Sequence, residues 1–135
     1  MGLGASETLV GVHRRDATVL DLPGRRWGLL LGPGNVGARN LTLGFSSFPA
    51  GSAPAGHVHR EEEEMVYVVA GHGRLVADET VIELEPGMAV YIPRGVRHTT
   101  IAGPIEPLEL VTAFSPPVVP GSYEADRGAN SDAVG

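Results

Sequence analysis

Its nineteen glycines and eleven prolines leave the 135-residue chain no stretch of ten or more residues with helical apolar periodicity. Glycine inside a helix costs about 1 kcal/mol and proline about 3 kcal/mol, so a helical core is excluded at the outset. What the punctuation leaves is a series of short runs rich in β-branched and aromatic residues, at 17–22, 26–31, 41–48, 65–71, 73–77, 81–84, 88–93, 98–102 and 108–114. Turn-forming stretches such as PGN, FPAG, ADET, EPG and PRG fall between them. Short strands at such intervals predict an all-β sandwich or barrel. With no internal repeat, one barrel is expected over residues 1–115, its N-terminal strands over 8–48 and its core over 49–114. After Phe114 the chain turns proline-rich, then small and polar, which predicts a flexible C-terminal tail over 116–135.

Composition narrows function by exclusion. There is no cysteine, hence no disulfide framework, no thiolate nucleophile and no cysteine-ligated zinc. All ten basic residues are arginine, which removes lysine Schiff-base chemistry. A net charge of −6 argues against nucleic acid as a partner, because phosphate binding wants a basic stripe. No run approaches the ~20 apolar residues of a membrane span, and the first thirty residues lack the apolar core of a signal peptide. A cytoplasmic protein is expected, and arginine without lysine beside abundant glycine points to a bacterial source.

The stretch GHVHREEEEMVYVVAGHG, residues 56–73, sets two histidines two positions apart ahead of four consecutive glutamates and an apolar run. On a strand, His57 and His59 would share one face. Neutral imidazole is the commonest ligand for borderline transition metals, although on its own the pair fits exposed loop histidines better.

The surroundings add order. Gly51, His57, His59, Glu64 and Gly71 satisfy every position of the motif G(X)5HXH(X)3–4E(X)6G. Gly87, Pro93, Gly95 and His98 satisfy all but the last position of G(X)5PXG(X)2H(X)3N, where Ala102 replaces the asparagine. On these residues the chain resembles the cupin superfamily. The resemblance implies a jelly-roll β-barrel of two antiparallel sheets, holding one divalent transition metal per chain (Fe, Mn, Ni, Cu, Co or Zn) on His57, His59, Glu64 and His98. The family spacing admits Glu63 or Glu64, and the six-residue gap to Gly71 selects Glu64. Strand parity agrees, placing Glu64, Val66, Val68 and Ala70 on one face and Met65, Tyr67 and Val69 on the other. Glu61 and Glu62 are then solvated loop residues.

Other candidates are weaker. Glu63 and Tyr91 could move protons if they faced inward. Tyr67 is expected to pack in the core, Arg97 to face outward, and His72 to lie exposed in its turn. Arg39 and Arg94 could greet an anion at the barrel mouth, and Trp27 could line a pocket or plug the core. His98, Thr100 and Ala102 should share the inward face, giving a weakly polar cavity. The resemblance implies an enzyme acting on a small metal-chelating molecule, a dioxygenase, isomerase, cyclase or lyase. The alternative is a non-catalytic module binding a sugar or organic acid. Family habit and exposed strand edges further predict a homodimer, with residues 8–31 covering an edge.

Overall fold

A computed structural model describes residues 8–118. Nine strands follow in chain order: β1 (Thr18–Leu22), β2 (Arg25–Leu31), β3 (Thr42–Phe48), β4 (Glu63–Ala70), β5 (Gly73–Ala77), β6 (Thr80–Leu84), β7 (Ala89–Ile92), β8 (Thr99–Ala102) and β9 (Leu108–Ser115). A single short helix, α1 (Pro33–Val36), follows β2, and a one-turn 3-10 segment, Arg14–Asp16, precedes β1. Each run singled out in the sequence became a strand. The strands form a six-stranded sheet, β1-β2-β3-β9-β4-β7, and a three-stranded sheet, β6-β5-β8, all pairings antiparallel. This is the two-sheet jelly-roll arrangement. Among the described residues no helix is long and apolar enough to cross a membrane. Most of the expected C-terminal tail, residues 119–135, lies outside the described residues.

Period-two burial positions the interior. On β4, Glu64, Val66 and Val68 are buried while Met65, Tyr67 and Val69 are exposed. On β9, Leu108, Leu110, Thr112 and Phe114 point in. Val66, Val68, Leu108 and Leu110 meet Leu75, Leu84 and Ala102 of the small sheet in one core, where Val68 and Leu108 are fully buried. Two expectations are corrected here. Tyr67 is 50% exposed, not packed in the core, because none of the described residues forms a layer over the outer face of β4. Ala70 leaves the inward face, because the pairing of β4 with β9 shifts register between Val68 and Ala70. A bulge of this kind resets alternation. Within residues 8–31, β2 covers the edge of β3 and β1 forms the outer edge of the large sheet.

The four motif glycines, Gly51, Gly71, Gly87 and Gly95, all adopt positive φ, at +77°, +84°, +98° and +78°. Only glycine occupies that region freely. The spacing of the motifs is therefore largely a spacing of turns; His57, His59 and Glu64 sit between the first two, and His98 follows the last.

Candidate metal centre

His57 and His59 do not lie on a regular strand as expected; they belong to the irregular connection between β3 and β4. That connection is nevertheless tied to β8. Gly51 donates its amide to the Gly103 carbonyl at 2.8 Å, and Ala102 donates to Ser52 at 2.9 Å. His57 and His98 then exchange both backbone hydrogen bonds, at 3.0 and 2.9 Å, as an isolated antiparallel bridge. Gly95 donates to the His59 carbonyl at 2.7 Å. The two halves of the sequence pattern are thus joined through their main chains, and this joining brings the side chains together. The imidazole nitrogens of His57, His59 and His98 lie within 4.8 Å of one another. Nitrogens bound at ~2.1 Å to one ion stand at most ~4.2 Å apart, so a small side-chain adjustment brings the three to coordination distance.

Glu64 arrives from β4. One of its carboxylate oxygens, Oε1, is 3.4 Å from His59 Nε2 and 3.6 Å from His98 Nε2. This oxygen is buried and makes no hydrogen bond. A buried carboxylate oxygen without a hydrogen bond is costly, and a cation removes that cost. On the other side of the His98 ring, Nδ1 lies 3.0 Å from the Val96 carbonyl. A carbonyl only accepts, so Nδ1 carries the proton and Nε2 presents its lone pair to the cluster. This is the orientation that a metal-binding histidine needs. The donor set, a cluster of three imidazoles, two buried and one half-buried, with a carboxylate beside two of them, fits a divalent transition metal.

The remaining candidates fall elsewhere. Glu63 and Tyr91 sit on the outward face, where Tyr91 is half exposed. A hydrogen bond from its hydroxyl to Glu63 raises the Tyr91 phenol above its ordinary range, desolvation adding to the effect. Held protonated and turned away from the histidines, this pair has no access to the cluster. Glu61 is exposed and Glu62 half-buried ahead of β4, and Arg39, Arg94 and Arg97 are exposed. His72 is exposed and 3.1 Å from Glu106, an exposed ion pair of little consequence for stability. His13 caps the 3-10 turn by accepting from the Arg15 amide. Ala102 and Thr100 are buried on the inward face of β8. One residue at the centre was not foreseen. The Phe114 ring packs edge-on against His59, centroids 5.1 Å apart. Its place follows from β9 pairing with β4, a long-range register that no local spacing announces.

Comparison with known proteins agrees with this geometry. The Cupin domain family model matches residues 44–114, more than half of the chain and all three clustered histidines. The dimethylsulfoniopropionate lyase DddW of Ruegeria pomeroyi is 32% identical over 79 residues, covering 58% of this chain and 51% of that protein. The chain thus matches about half the length of that relative. The polyketide cyclase RemF from Streptomyces resistomycificus superposes with a TM-score of 0.70 at 25% identity, over 80% of each chain. Ectoine synthase from P. lautus superposes with a TM-score of 0.75 at 18% identity, over 89% of this chain and 87% of that one, a likeness of fold.

Proposed function

Because the chain belongs to the cupin family, we propose that it is a metal-dependent enzyme that binds one divalent transition metal through His57, His59, Glu64 and His98 and acts on a small chelating organic molecule. The observation carrying this reading is the clustering of three imidazoles, two of which, His59 and His98, stand 3.4 and 3.6 Å from a buried carboxylate oxygen of Glu64 that has no hydrogen bond. Bound there, such an ion supplies Lewis acidity and, if it is iron or copper, redox chemistry. The chain's own contribution is positional. Val96 holds the His98 tautomer, Glu64 brings a negative charge, and Phe114 walls His59 on one side. Elimination and cyclisation are favoured over oxygen-dependent cleavage, since a lyase and a cyclase stand among the relatives.

The binding-module reading keeps one specific support: Glu63 and Tyr91 face away from the cluster, so neither serves there as a separate proton carrier. The test uses protein loaded with cobalt(II), whose visible bands report its ligands. One ion per chain is expected, and small hydroxy acids should shift those bands as they displace water. A chain that takes up none of the six metals sinks the site. Acids that bind without altering the bands favour the binding module.

A homodimer is part of the same proposal. It is supported by the edges at β1 and β7 and by exposed Met65, Tyr67, Val69 and Tyr91 on the outer face of the large sheet. Light scattering at micromolar concentration should return twice the chain mass of 14.1 kDa; the mass of one chain counts against the dimer.

A further inference from the structure

The two sheets are unequal, and the inequality leaves a hollow. The apolar core uses residues of β3, β4, β7 and β9 from the large sheet and none from β1 or β2. Against β1 and β2 lies instead a cavity of about 400 Å³, whose walls include Leu20, Trp27, Leu29, Pro33 and Val118 and whose floor includes Thr42. Among the described residues no charged side chain lines it. Its volume falls in the range of small-molecule pockets, about 300–1,000 Å³.

Register ties this cavity to the histidines. Thr42 pairs with Phe114, and Phe114 with Glu64, so the three side chains stand in one row on the inner face. At ~4.8 Å between strands, the floor of the cavity is about 10 Å from the carboxylate. Phe114, in the middle of the row, touches His59. Thr42, at the floor, is fully buried, and its hydroxyl makes no hydrogen bond among the described residues. A sugar or a small polyacid would leave most of its own polar groups unpaired against such walls.

We propose that this cavity seats the uncharged, ring-bearing body of the molecule whose chelating end meets the histidine cluster, with Phe114 as the partition that decides which bodies reach both. The substrate class is then an amphipathic hydroxy acid or phenol, not a small polar metabolite. The proposal rests on the metal-site reading above and extends it to specificity.

The test separates the two. Metal-free, full-length protein is titrated with 2-naphthol while the emission of Trp27, the chain's single tryptophan and part of the cavity wall, is followed. Saturable quenching is expected. Leu20→Asp, at a position already 38% exposed and so tolerant of the change, should weaken binding at least about tenfold by placing a charge in the apolar wall. Leu29→Asn, followed by calorimetry with circular dichroism as the check on folding, should act in the same direction. Absence of saturable binding, or equal affinity in both folded variants, overturns the assignment. On metal-loaded protein, 3-hydroxy-2-naphthoate should bind at least about thirtyfold more tightly than glycolate, which has a hydroxy-acid end and no body; equal affinities overturn the proposal. Metal uptake without naphthol binding removes the substrate class and leaves the metal site standing. Naphthol binding without metal uptake removes the metal reading on which the proposal rests. Dissociation of an oligomer on adding naphthol would put a second copy in the cavity and overturn the proposal.

Discussion

His98→Ala is expected to lower metal affinity at least about a hundredfold, since loss even of a residue that only supports a ligand commonly costs 10- to 100-fold. The substitution is clean because the main-chain bridge to His57 uses the His98 amide and carbonyl, which alanine keeps. What disappears is the imidazole whose Nε2 is aimed at Glu64 by the Nδ1 contact with Val96. Glu64→Gln should also weaken binding markedly, because it removes the negative charge from the buried oxygen near two imidazoles. Glu61→Gln and Glu62→Gln, which change residues of the loop ahead of β4, should leave affinity near that of the unmodified chain. Competition against a chelator of known affinity, with elemental analysis of the purified variants, gives all four values. Equal losses in the three glutamate variants would show that Glu64 is not the ligand.

Gly71→Ala should destabilise the fold by more than about 3 kcal/mol. The left-handed backbone alone costs a non-glycine residue about 1–2 kcal/mol. A Cβ at this position would also stand 2.1 Å from the Pro107 carbonyl oxygen and 2.8 Å from the Leu108 Cα. Those are main-chain atoms at the start of β9, and they cannot turn aside as a side chain could. Gly51→Ala supplies the control: its φ is +77°, yet nothing lies within 4 Å of the added carbon, so about 1–2 kcal/mol is expected. Urea midpoints for the two variants should therefore differ widely. Matching midpoints would mean that backbone conformation alone accounts for the glycine.

The contrast between these glycines also explains what could be read ahead of the structure. Strand identity was legible because each run is bounded by residues that force a turn, and the motif glycines are among those residues. The inward face of β4 was legible as far as Val68, since alternation needs only parity. It failed at Ala70, where the register shift against β9 is a property of two strands far apart in the chain. Tyr67 failed for a related reason: a large apolar ring reads as core, and only the layer count shows that none of the described residues covers the outer face. The histidines and Glu64 were marked by their spacing. Phe114 and the cavity against β1 and β2 had no such mark, because both arise from which strands become neighbours and from one sheet being wider than the other.

The bridge between His57 and His98 carries a consequence for when the proposed metal site could form. Four strands, β4 to β7, lie between the two residues in the chain. Closing so long an excursion is an entropic cost that must be met by strand pairing before the two imidazoles can meet. A chain still emerging or partly unfolded offers at most the His57–His59 pair, a weak grip. The full set exists only in the finished tertiary structure, so added ion should draw the population toward that state alone. Occupancy of the proposed metal site would then double as a record of completed folding.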